Sequence, residues 1–265
     1  MQDYMLDFAE YVRELLPEEL AEPFIALARP AVRLSQAEEG ETVVGRLGGL
    51  PRLPEGVPWP SPGADMQFLA ELDCAALAGY ESGLDLPAEG SLLFFAHWEC
   101  TSAHVILLPA GVERVPDREV PVSGDAWVYP EVPLAGETVA TWPTRGHDEL
   151  VGLGDDFWHR IVGDGEVFET LLHDFAEADR ALAHQIGGYS DALHSPIEAE
   201  GARAAGLTWG DPGFAAEAAQ WVNLLQLDED NEMIFGDGAI LTFGIRRDRL
   251  AARDFSQVLP HVQGH

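Results

Sequence analysis

The chain has 265 residues, 46% of them hydrophobic, enough to build one large core or two small ones, and no apolar run approaches the roughly 18 residues of a membrane span. Its 46 acids face only 15 bases, a net charge of −31, and such a field repels nucleic acid and anionic membrane while favouring basic partners. Every base is arginine, so a Walker-type phosphate loop, a pyridoxal phosphate Schiff base and a lysine nucleophile are all excluded.

The charge is diffuse. Residues 1–133 hold 23 acids and 7 arginines and residues 134–265 hold 23 and 8, which describes an acidic surface and not an acidic tail. A high-GC or halophilic proteome would produce the same exchange of lysine for arginine. The start, MQDYMLDFAEYV, is acidic where a signal peptide is basic, and a cytoplasmic location is expected.

In chain order, Tyr4, Phe8, Tyr11 and Leu15 recur at helical spacing, and Pro17 opens a second short helix through Leu27. From residue 40 the texture turns to Gly, Pro and short apolar runs, with GRLGGLPRLPEGVPWPSPG as a stiff, turn-rich connector. Strands are expected at 67–72, 91–98 and 103–109, then brief ones near Ala126–Tyr129 and Thr138–Trp142. Cys74 and Cys100 end two of these runs and read as buried thiols, since no CxxC or Cys/His zinc spacing is present.

The segment 165–184 predicts a helix with Phe168, Leu171, Leu172, Phe175 and Leu182 on its apolar face. His173, Glu177, Arg180 and His184 fall on the opposite side. A His/Glu/His stripe can ligate a metal, but a solvated face accounts for it, and no metal or other cofactor is expected.

Two sets of fragments then repeat in order. GGLPRLP, FLAELD and GSLLFF, from Gly48, Phe68 and Gly90, answer GGYSDAL, NLLQLD and GAILTF, from Gly187, Asn223 and Gly238. Each set is a Gly-Gly turn, a strand ending in [EQ]-L-D and a Gly-led strand, the pattern of a duplicated unit with unequal loops. Asp228–Glu232 is then the connection within a hairpin. A calcium loop is excluded, because an EF-hand would need Gly and Glu where Met233 and Ala239 stand.

GGLPRLP with Trp59-Pro60, FLAELD, HQIGGYSDAL, LLQLDEDNEMIFGDGAILTFGI and DFSQVLPHVQ, in this order, resemble the YwqG-like family of bacterial proteins, from about residue 40 to Gln263. Glu71, Ser190 and Phe235 stand where that family usually has Gln, Pro and Trp. The resemblance implies an α+β fold, internally duplicated, with mostly antiparallel sheets. Added to the helical opening, it divides the chain into an N-terminal helical segment, 1–34, and a domain, 35–265, with related halves at about 40–110 and 184–250. It implies no reaction. An association of such proteins with toxin loci points to an immunity-type binding role.

Catalytic patterns are absent from the sequence. Ser190 lacks the second glycine of a nucleophile elbow, no HExxH occurs, and Gly152-Leu-Gly154 lacks the third glycine of a dinucleotide fingerprint. The expected role is therefore a binding or interaction module with a protein partner, a basic one given the charge. The alternative is a small-molecule binder or hydrolase with its site between the repeats. The residues expected to bind are loop and turn side chains: Trp59 between prolines, His184, Gln185 and Tyr189 around a Gly-Gly turn, and Trp209 in LTWGDPG. Core packing beneath the loops is the competing explanation for each of them.

Overall fold

The computed structural model describes residues 3–60, 66–97, 99–115, 128–144, 146–157, 161, 184–229, 233–236 and 238–264. Two helices open the chain, α1 (Asp3–Leu15) and α2 (Glu18–Ile25). The buried ridge of α1 is Phe8 and Val12, continued one turn on by Leu16 just past the helix end, with Tyr4, Tyr11 and Leu15 only partly covered beside it. Phe8 stacks on Trp142 at 4.8 Å between ring centroids and Phe24 on Phe157 at 5.6 Å, so both helices dock on one end of the sheet.

Ten strands follow: β1 (Arg29–Gln36), β2 (Val43–Leu47), β3 (Met66–Asp73), β4 (Ser91–His97), β5 (Ala103–Leu108), β6 (Val132–Thr141), β7 (His184–Gly187), β8 (Trp221–Asp228), β9 (Ile240–Arg246) and β10 (Leu259–Gln263). They form one sheet in the order β10-β9-β8-β7-β1-β6-β2-β3-β4-β5, antiparallel at every pairing. The architecture is α+β, dominated by this sheet. β1 crosses the boundary expected at residue 34 and lies at the sheet centre, so the N-terminal segment contributes a central strand as well as helices. Short helices fill the connections: α3 (Cys74–Leu77), α4 (Asp148–Val151), α5 (Gly154–Phe157), α6 (Ile197–Ala204), α7 (Phe214–Ala218) and α8 (Arg247–Ala251).

The strand order reads alike from both edges. β10-β9-β8-β7 on one side and β5-β4-β3-β2 on the other meet at the β1–β6 pair. The β3–β4 register shifts between Phe68 and Ala70, and the β8–β9 register shifts between Asn223 and Leu225, at matching places in FLAELD and NLLQLD. The inner faces of both arms share one core, in which Phe94 meets Phe243 edge-on at 5.2 Å. In β4 the continuous apolar run is covered on both faces: Leu92, Phe94 and Ala96 enter that core, while Leu93 and Phe95 enter an outer cluster with Leu53 and Phe68.

The strands expected at 67–72, 91–98 and 103–109 are β3, β4 and β5, and the brief strand near Thr138 is the end of the longer β6. Val128 and Tyr129 carry no strand, and 126–127 lie outside the described residues. Of the helix expected over 165–184, His173, Glu177 and Arg180 also lie outside them. His184 is not helical; it begins β7. In the connection after β8, one carboxylate oxygen of Glu229 accepts the amides of Phe235, Gly236 and Ala239, closing the loop on itself. Cys74 and Cys100 are free, buried thiols, pushed up to about 11 by that burial. No helix among the described residues is long and apolar enough to cross a membrane.

Candidate functional site

The segment from Gly187 to Pro196 leaves the sheet after β7, and side chains from three strands satisfy its backbone. From β7, the Gln185 amide donates to the carbonyls of Gly187 and Tyr189 at 2.9 and 2.8 Å. From β8, Gln226 Oε1 accepts the Asp191 amide at 2.7 Å. From β10, Gln263 Oε1 accepts the amides of His194 and Ser195, both at 2.8 Å. All three glutamines are buried, and each pins its stretch of loop, although Gln263 Nε2 itself makes no hydrogen bond. Gly187 and Gly188 make the exit possible: both have positive φ, and a Cβ on Gly187 would stand 1.9 Å from the Ser82 carbonyl oxygen.

The pinned loop delivers α6 onto the outer face of β8 and β9. Helical Gly201 permits close approach, because a Cβ there would meet the Trp221 ring at 2.2 Å. The second residue of α6 is Glu198, 6% exposed. Facing it is His147, 3% exposed, at the N-terminus of α4. His147 Nδ1 faces the Thr144 amide at 3.0 Å, its hydroxyl at 3.1 Å and its carbonyl at 3.2 Å; accepting the amide, the shortest of the three, leaves the hydrogen on Nε2. That Nε2 stands 3.7 Å from Glu198 Oε2, and Glu198 Oε1 stands 3.7 Å from Arg29 Nη1, all beyond hydrogen-bonding reach. Neither Glu198 oxygen nor His147 Nε2 has a hydrogen-bond partner.

These groups line a cavity of about 240 Å³ whose walls include Ala199, Ala215, Ala218, Ala219 and Trp221. Arg29 lies 3.9 Å over the Tyr189 ring and pairs with Glu149, and His147 meets Tyr189 edge-on at 4.9 Å. Arg247 also lines the cavity; its Nε donates to the Ala219 carbonyl at 3.3 Å, and it has no ion-pair partner among the described residues. Burial pushes Glu198 up to about 7 and His147 down to about 4, and it lowers Arg247 with help from the like charge of Arg29. At neutral pH the floor is thus a neutral imidazole beside a carboxyl poised between its two forms. Such a site can donate, accept and hold a charge. Its lining contains no hydroxyl or thiol nucleophile among the described residues.

The residues expected to bind are distributed unequally. Tyr189 stands against this cavity, Gln185 holds its backbone, and His184 lies buried beside them in β7, where its Nδ1 accepts the Asp228 amide. Trp59 lies elsewhere, half-buried against Phe95 in the outer cluster of β3–β4, with its indole N–H donated to the Met66 carbonyl. Trp209 is 58% exposed and rests edge-on against Phe214 of α7. No described contact joins either tryptophan to Tyr189. Sequence reasoning missed Arg29, His147, Glu198 and Arg247. GHDEL and SPIEAE carry no spacing that marks a site, and Glu198 looks like an ordinary first-turn acid on a helix.

A family model described as Domain of unknown function (DUF1963) matches residues 45–263. No curated protein matches the chain.

Proposed function

The chain belongs to the DUF1963 family of unknown function, and on that premise we propose that it is a binding protein whose site is the Arg29–His147–Glu198 cavity. One observation carries this reading: a carboxyl group buried to 6% exposure lies at a cavity with neither oxygen hydrogen-bonded, its nearest charged neighbours 3.7 Å away. Buried polar groups are almost always paired, and leaving one unpaired costs about 1–3 kcal/mol, so a ligand that completes the pairing recovers binding energy. Binding is favoured over Ser- or Cys-type hydrolysis because the described lining offers no hydroxyl or thiol nucleophile.

The test compares the wild type with Ala215→Trp, which fills the cavity from an exposed wall position. Both proteins are heated with a panel of small charged metabolites. Saturating ligand should raise the Tm of the wild type alone, a stabilisation of about 2.7 kcal/mol at a hundredfold excess over Kd. Equal shifts in both proteins, or none with any compound, would overturn the reading.

Three finer readings are part of the proposal. The first is internal duplication, supported by the symmetrical strand order, the matched register shifts and a shared turn device. Arg46 donates to the carbonyls of Gly48 and Leu50, two and four residues on, as Gln185 does to those of Gly187 and Tyr189. The second is membership of the YwqG-like proteins of bacteria, supported by the motifs quoted above. An interaction with a basic protein, of the kind an immunity protein makes, is supported by the net charge of −31.

A further inference from the structure

We infer that the cavity takes a small zwitterion, a molecule with an ammonium and a carboxylate on one carbon, of which a free α-amino acid is the simplest. The inference rests on the binding role proposed above and names its ligand.

Groups of both signs border one space: the Glu198 carboxyl and the His147 imidazole are buried just beneath it, where a small side-chain shift brings them to a ligand, and Arg247 stands exposed at its rim. Both Glu198 oxygens and His147 Nε2 make no hydrogen bond, Arg29 Nη1 and His147 Nε2 each standing 3.7 Å from a Glu198 oxygen, and Arg247 offers a guanidinium with no carboxylate among the described residues. Arg46, Arg114, Arg246 and Arg249 all end on carboxylates, whereas the exposed Arg52 and Arg247 have no ion pair among the described residues, and of these two only Arg247 lines the cavity. A simple anion would serve Arg247 and His147 but leave Glu198 without a donor. A simple cation would serve Glu198 but leave Arg247 and the imidazole N–H unmet. A zwitterion satisfies all three, its ammonium on Glu198 and its carboxylate on Arg247 and His147. Being neutral overall, it also escapes the long-range repulsion that a net charge of −31 exerts on anions.

Size and lining agree. About 240 Å³ is below the usual volume of a drug-sized site, and the apolar wall of alanines and Trp221 suits a short aliphatic side chain.

The experiment is isothermal titration of the full chain with L-alanine, L-leucine, propionate and ethylamine. The amino acids should bind, and the two monofunctional compounds should bind at least about tenfold more weakly, the cost of roughly one charged hydrogen bond. An ammonium favours the ionised form of Glu198, which shares the cavity with Arg29, Arg247, Asp148, Glu149 and His147, while Tyr189 packs against Arg29 and His147. Amino-acid affinity should therefore rise between about pH 6 and about pH 8, with proton release on binding. Glu198→Gln should abolish that pH dependence. Arg247→Gln, at a less buried position, should weaken binding about tenfold and keep the dependence.

Propionate or ethylamine binding as tightly as L-alanine would overturn the zwitterion and leave the cavity as the site. L-alanine binding unchanged in Ala215→Trp would place it elsewhere and overturn both. Absence of heat with all four compounds would overturn the zwitterion, and the wider metabolite panel would then decide the binding role separately.

Discussion

Glu198 and His147 are pushed in opposite directions by one cause, burial, and the consequence for stability is measurable. The folded chain holds a proton on Glu198 up to about pH 7, whereas the carboxyl ordinarily releases it near 4.5. Stability from this group is complete below the lower value and is lost as pH rises through the upper one. His147 falls from 6.5 to about 4, so its contribution is present above 6.5 and is lost as pH falls towards 4. Between about 4.5 and 6.5 the two slopes oppose each other. Glu198→Gln should expose the histidine slope, stability rising with pH by up to about 1.4 kcal/mol per unit relative to wild type, and His147→Gln should expose the reverse. Urea denaturation across that range would show it, and parallel curves for all three proteins would refute it. The tryptophans divide at the same scale. Trp59→Ala removes a half-buried ring from an outer cluster and should cost about 2–3 kcal/mol, below the range for a fully buried tryptophan. Trp209→Ala should stay within about 0.5 kcal/mol, since its ring is 58% exposed.

At the level of elements, the site depends on a loop that has little regular pairing of its own. Gln226→Ala should leave the Asp191 amide without its acceptor, and Gln263→Ala should strand the amides of His194 and Ser195. Each should cost about 1–3 kcal/mol in thermal or chemical unfolding and weaken ligand binding as well, because α6 and Glu198 follow directly from this loop. A double-mutant cycle with Glu198→Gln that gave strict additivity in binding would separate loop from site and contradict this coupling. Gly201→Ala tests the other support of α6. Its new methyl would overlap the Trp221 ring, so the helix must lift and the cavity change shape; unaltered stability and binding would mean the helix is not held that closely.

For the molecule as a whole, charge dominates. Thirty-one net negative charges within one compact body repel one another, and salt screens that repulsion over about 8–10 Å. Raising NaCl from low to physiological strength at neutral pH should raise the Tm, and a flat or falling Tm would remove the idea. Composition alone settled this property, because net charge is a sum over residues that needs no coordinates. Local patterning was legible for the same kind of reason: the apolar runs of β3, β4 and β5, the helical ridge of α1 and the paired Gly-Gly turns are written in adjacent residues whose spacing fixes their geometry. The glutamines of HQIGGY, LLQLD and HVQ were visible as motif members, but their common task of pinning one loop was not. The cavity was hidden altogether. Arg29, His147, Glu198 and Arg247 come from separate parts of the chain, and what makes them chemically unusual is burial beside one another, which only the packing of α4 and α6 around the end of β1 could decide.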